Sequence, residues 1–212
     1  MTTRDRYDAV LGWFAANASS AESELKYRSD FELLVAVMLS AQCTDKRVNT
    51  VTPALFAAYP DAASMAKAAE EDILRYISSV SYPNSKAKHL KAAAVRIVED
   101  FGGRVPSELE QLQSLPGVGR KTANVVMAVL WQKPTMAVDT HIFRVSNRIG
   151  LTDNSKNPLQ TEKTLTRHIP PEVIPKAHHW LLLHGRYVCQ ARSPKCSLCG
   201  ISDYCKSYKK SL

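Results

Sequence analysis

The stretch Leu115-Pro-Gly-Val-Gly-Arg-Lys-Thr-Ala-Asn-Val-Val126 decides the fold. Pro116 and Gly117 end a helical pattern over residues 107–114, and a second helix is predicted over residues 121–131. Between them, Gly119 lets the backbone approach another surface with no Cβ in the way. Leu115 and Val118 are placed to plug the turn into a core, and Val125, Val126 and Val129 to anchor the second helix. A helix that opens here presents unpaired N–H groups and the positive end of its dipole, which together form an anion site.

Outward from this turn, apolar residues recur at helical spacing in both directions. Tyr7, Val10, Leu11 and Phe14 mark one face of an N-terminal helix. Ser29 or Asp30 caps a helix running from Phe31 through Leu33, Leu34, Val37 and Met38 towards Gln42. Further helices are predicted over residues 46–59, 70–77, 85–100, 140–149, 159–168 and 173–187. Breaks are expected at Pro60, Pro83, Gly102–Gly103, Pro134, Gly150, Pro158 and Pro170–Pro171. With no strand signal, repeat or long linker, the pattern predicts an all-α protein of about ten helices joined by short turns.

Among 212 residues, 28 Lys and Arg face 20 Asp and Glu, a formal net charge of +8. That surplus suits partners rich in phosphate, because each neutralised phosphate releases a condensed counterion. It equally suits a soluble basic enzyme, so charge alone selects neither. No run approaches the roughly 20 apolar residues that span a bilayer, and no apolar segment follows the charged N-terminus. The expectation is therefore a cytoplasmic protein with no membrane partner, whose thiols stay reduced.

Four of the five cysteines fall in the array Cys189-x₆-Cys196-x₂-Cys199-x₅-Cys205. Disulfides are disfavoured by a reducing compartment. A zinc site usually uses two Cys-x₂-Cys hooks, and only one is present. Four thiolates also suit a 4Fe–4S cluster, so spacing alone leaves zinc and iron–sulfur both open. Arg192, Pro194 and Lys195 lie in the loop between the first two cysteines, where a pinned basic loop meets phosphate. Cys43 reads as a small buried residue outside this array.

The Pro-Gly-Val-Gly-Arg-Lys-Thr-Ala turn resembles the helix–hairpin–helix motif, which grips DNA backbone without reading sequence. Gly117, Val118, Gly119 and Arg120 are then DNA-contacting candidates. Lys121 lies on the first turn of the second helix. A protonated lysine is a poor nucleophile; desolvation, a helix N-terminus and neighbouring cations favour the free amine. Lys121 reads either as that nucleophile or as one more phosphate contact. In Val138-Asp-Thr-His-Ile-Phe-Arg144, Asp139 stands at a helix cap position. It also suits a carboxylate across a groove from Lys121 that accepts a proton or steadies positive charge on a sugar. His141 and Arg144 follow on the same helix as candidates for the DNA backbone.

Together with His178-His-Trp-Leu-Leu-Leu-His-Gly-Arg-Tyr187, these motifs closely resemble the endonuclease III family of helix–hairpin–helix DNA glycosylases. The likeness runs from about Phe31 to Cys205. It implies a bifunctional glycosylase and apurinic/apyrimidinic lyase acting on duplex DNA that carries oxidised pyrimidines or abasic sites. The implied fold is two α-helical domains flanking a DNA-binding cleft: a six-helix domain over residues 23–133, and a cluster domain from residues 1–22 plus 134–212. The resemblance assigns the catalytic lysine to Lys121, the catalytic aspartate to Asp139, and 4Fe–4S ligation to Cys189, Cys196, Cys199 and Cys205. Gln42 matches the residue that fills the gap left by an extruded base, and Asp45 falls near the pocket. Departures occur in the second wedge loop, Val80-Ser-Tyr-Pro-Asn-Ser85, where the family often has glycine and leucine in place of Ser81 and Tyr82. Tyr82 can still stack on bases, with opposite-base preference left open. Two rivals remain. An adenine-mismatch glycosylase shares hairpin, aspartate and cluster but generally lacks the lysine and carries a further C-terminal domain. A non-catalytic hairpin module would bind DNA without cutting it. A monomer is expected.

Overall fold

The computed structural model describes residues 1–209, and among these there are twelve α-helices and no strand. They are α1 Thr3–Asn17, α2 Asp30–Ser40, α3 Asp45–Ala58, α4 Ala62–Lys67, α5 Glu70–Ile77, α6 Pro83–Phe101, α7 Leu109–Ser114, α8 Arg120–Trp131, α9 Thr140–Ile149, α10 Pro158–His168, α11 Ile174–Tyr187 and α12 Lys206–Lys209. Short polar side chains set the starts. Thr2, Ser29, Thr44, Asp61, Asp139 and Asn157 each cap a helix by accepting a backbone N–H of its first turn. Such a cap satisfies one of the donors that every helix start leaves over, and stabilises by about 1 kcal/mol.

Two compact units result: Ser23–Trp131, and Met1–Glu22 with the residues from Gln132 onward. The first is built on α2, whose residues Phe31 to Leu39 are all buried. Helices α3, α5, α6 and α8 pack around it through Val48, Leu55, Ile73, Ile77, Leu90, Ile97 and Val126. The second unit joins the N-terminal helix to the C-terminal third of the chain. Phe14 of α1 stacks on Trp180 of α11 at a ring distance of 5.9 Å and meets His184 edge-on at 5.4 Å. Tyr7 donates its hydroxyl to the Leu151 carbonyl at 2.7 Å, and the Trp180 indole donates to the Ala18 carbonyl at 2.8 Å.

Two local expectations are corrected. Pro83 does not break a helix; it begins α6, because its fixed φ suits the first helical position and its missing N–H has no partner to lose there. The short α4 is not expected from periodicity, since six residues carry less than two turns of pattern. Its start is legible in chemistry instead, as Asp61 and Ser64 form a reciprocal capping box.

Candidate functional site

The hairpin is a tight turn whose core side is filled and whose outer side is open. Leu115 and Val118 are buried, and the Val118 N–H donates to the Leu115 carbonyl at 3.1 Å to close the turn. Gly117 has φ +79°, and a Cβ built there would lie 2.8 Å from the His89 Cβ of α6. Both facts require glycine. A Cβ at Gly119 would meet nothing within 4 Å, and Gly119, Arg120 and Lys121 are exposed. The first turn of α8 therefore offers its amide end and two cations to solvent on one side of an anchored turn. Lys121 is exposed on the first turn of α8, next to Arg120.

Gln42 and Tyr82 both have left-handed backbones, with φ of +54° and +55°. For a residue with a side chain this costs roughly 1–2 kcal/mol, so neighbouring structure must hold it. The holding groups come from one segment. Ser81 donates its hydroxyl to the Gln42 carbonyl at 2.7 Å. Lys86, 8% exposed, donates its ammonium to the Leu39 carbonyl at 2.8 Å and the Ala41 carbonyl at 2.7 Å. Burial lowers the pKa of Lys86, and the nearby Cys43 acts against that shift. Gln42 and Tyr82 are themselves exposed, the latter by 65%. Asp45, half-buried, occupies the first position of α3, while Thr44 is the cap.

In the other unit, Asp139 caps α9. Its Oδ1 accepts from the His141 N–H at 2.9 Å and the Ile142 N–H at 2.8 Å, so both amides bind the same oxygen. His141 is half-buried against Gly185 of α11, where any Cβ would collide with it. Arg144, a candidate for the DNA backbone, makes hydrogen bonds within the protein. Its guanidinium donates to the Cys189 carbonyl at 3.1 and 3.2 Å and to the Gly185 carbonyl at 2.9 Å, tying α9 to the end of α11. A planar fork that satisfies several carbonyls at once is held in place by them.

Cys189, Cys196, Cys199 and Cys205 line one pocket, closed behind by Ile149 and Ile201. Among the described residues, no three His, Cys, Asp or Glu side chains close around a point as a single ion requires. Four thiols around one apolar pocket suit a 4Fe–4S cluster, which takes one thiolate per iron. Arg148 supports the first ligand: it donates to the Gln190 and Ala191 carbonyls at 2.7 and 2.8 Å and approaches the Cys189 sulfur at 3.7 Å. The His184 ring nitrogen lies 3.7 Å from the Cys199 sulfur, and burial pushes the His184 pKa down to about 4. Arg192 and Lys195 are exposed on the loop, which is pinned by the Lys195 N–H to the Val188 carbonyl at 2.9 Å.

Sequence reasoning passes over Lys86 and Arg148, and gives no contact to Ser81 or His184. Lys86 leaves one signal, because it lies four residues before Leu90 on the buried face of α6. A lysine on an apolar stripe needs an acceptor, and here two carbonyls at the end of α2 supply it.

With this geometry in hand, comparison with known proteins is informative. Residues 35–171 match the family model of the HhH-GPD superfamily base excision DNA repair proteins. The chain belongs to that superfamily. Residues 189–205 match the iron–sulfur binding domain of endonuclease III. Endonuclease III of Rickettsia felis is 46% identical, with 94% of this chain and 93% of that protein covered. Endonuclease III of Escherichia coli K12 is 45% identical, with 95% of each covered. A solved structure of a trapped endonuclease III–DNA covalent intermediate superposes with a TM-score of 0.92 at 39% identity, over 100% of this chain and 99% of that one. Within the superfamily the chain is accordingly a bifunctional DNA glycosylase with apurinic/apyrimidinic lyase activity, and it carries a 4Fe–4S cluster.

Proposed function

We propose that this enzyme binds duplex DNA, extrudes oxidised pyrimidines and abasic nucleotides, and attacks them with Lys121. The exposed amine of Lys121 on the first turn of α8, directly after a turn left open at Gly119, carries this reading. The hairpin amides, Arg120 and the exposed cations Arg192 and Lys195 hold phosphate and set register without reading bases. Extrusion costs a few kcal/mol, and less for a badly stacked lesion. Gln42 occupies the vacated space and Tyr82 stacks on the opposing strand.

Neutral Lys121 then bonds through Nζ to C1′ of the sugar, and the base leaves with the electrons of the C1′–N bond. The amine sheds a proton, the sugar ring opens, and a Schiff base remains between Nζ and C1′. β-Elimination breaks the strand on the 3′ side. Asp139 accepts the proton that the lysine sheds, or faces the positive charge developing on the sugar. Its Oδ1 also accepts from the His141 and Ile142 amides, which hold the carboxylate at the start of α9. Cys189, Cys196, Cys199 and Cys205 hold the cluster, which when bound ties the basic loop in place. The enzyme works as a monomer in the bacterial cytoplasm, in keeping with the absence of any helix among the described residues long and apolar enough to cross a membrane.

Borohydride trapping on a thymine-glycol duplex tests the proposal. The wild-type chain forms a covalent adduct and Lys121→Ala does not. An adduct that survives in Lys121→Ala places the nucleophile elsewhere. Lesion binding with no wild-type adduct makes the hairpin a binding module.

A further inference from the structure

The segment from Ser81 to Lys86 holds the Gln42 loop on both sides of Gln42. Lys86 binds the carbonyl before it, at Ala41, and Ser81 binds the carbonyl of Gln42 itself. Tyr82 sits between these two donors in sequence. The two exposed left-handed residues therefore belong to a single hydrogen-bonded frame, although 39 residues separate Ser81 from Gln42. The inner bonds, from Lys86, anchor the end of α2; the one to Leu39 is buried and the one to Ala41 part-buried. The outer bond, from Ser81, is exposed and reaches the carbonyl of Gln42, one of the two peptides that flank its Cα.

We propose that Ser81 is a positioning residue that locks Gln42 to Tyr82, so that both side chains enter the helix at the extruded nucleotide as one unit. This rests on the reading of Gln42 as the group that fills the vacated space. A bond at the loop surface contributes to lesion recognition and little to folding, because water replaces it when it is lost. Its effect appears only when there is a gap to fill. Binding to undamaged duplex, which uses the hairpin and the basic loop, is indifferent to it.

The test measures affinity of the cluster-loaded full-length protein for two duplexes of one sequence, undamaged and carrying an uncleavable abasic analogue. Ser81→Ala and Ser81→Gly lower the preference for the abasic duplex by about fivefold, the worth of one neutral hydrogen bond. Affinity for undamaged DNA stays unchanged, and Ser81→Thr, which keeps the hydroxyl, retains the preference. In a double-mutant cycle, Ser81→Ala costs less in the Gln42→Ala background than in wild type, since only Tyr82 is then left to position. Wild-type preference in Ser81→Ala, an equal loss on both duplexes, or full additivity with Gln42→Ala overturns the proposal. A Gln42→Ala protein that keeps the full preference overturns the reading beneath it, and is told apart because the single Gln42 variant alone reveals it.

Discussion

Replacing Gly117 by alanine tests the hairpin at its most constrained point. The left-handed φ of +79° costs alanine roughly 1–2 kcal/mol relative to glycine. The new methyl would also lie 2.8 Å from the His89 Cβ, the root of a side chain on α6 that cannot swing aside. Overpacking of that kind costs roughly 1–3 kcal/mol more. Gly117→Ala is therefore expected to lose roughly 2–5 kcal/mol and to melt roughly 5–15 °C lower for a chain of this length. Gly119→Ala is the matched control, since a Cβ there meets nothing within 4 Å and its φ is not positive. Its melting temperature stays within a degree or two of wild type, by the small effect of surface substitutions. Its affinity for undamaged duplex falls instead, because the methyl comes between the amides and a phosphate, at a loss of roughly 1 kcal/mol. Thermal denaturation followed by circular dichroism, paired with duplex binding, separates the two outcomes. Equal melting temperatures for both variants would refute the argument from φ and contact. A Gly119→Ala protein that binds undamaged DNA normally would refute the placement of phosphate at the turn.

Three further outcomes follow from particular contacts. Asp139→Asn keeps a side-chain oxygen for the cap of α9, so stability and DNA affinity change by less than about 1 kcal/mol while base removal slows at least about a hundredfold; equal losses in affinity and rate would reduce Asp139 to a cap. Arg148→Ala frees the carbonyls of Gln190 and Ala191, and the brown absorbance of the purified protein should bleach faster under a chelator. Arg148→Lys should not restore it, because one ammonium lacks the planar fork that reaches both carbonyls and the Cys189 sulfur; full restoration would show that charge alone suffices. The third concerns pH. Burial lowers the pKa of His179, with Glu22 opposing and Arg186 adding to the shift. The folded protein thus prefers neutral His179, and its contribution is complete above about pH 6.5 and lost as pH falls through the lower folded value. Wild type should lose more stability than His179→Gln between about pH 6.5 and pH 5 in urea titrations, and parallel losses would exclude this residue.

The elements legible in the sequence are those whose cause is local. Ser29 before Asp30 and Asp139 before Thr140 mark helix starts because a cap bonds to amides two or three residues away. The turn at Pro116–Gly119 is legible for the same reason, as its chemistry is confined to a few adjacent residues. The four cysteines announce a metal centre by spacing alone, although the choice of iron–sulfur over zinc needed the family resemblance, and the shared apolar pocket supports it.

Tertiary structure alone decided what the cations do. In sequence, Arg144, Arg148, Lys86 and Lys121 are four basic residues on helices. Folded, Arg144 and Arg148 bind the carbonyls around the first cysteine, Lys86 binds the end of α2, and Lys121 stands exposed. These partners lie 41 to 47 residues away from the three buried or half-buried cations. No periodicity carries that information, because a hydrogen bond between distant segments depends on how helices pack, whereas a cap or a turn depends only on its own backbone.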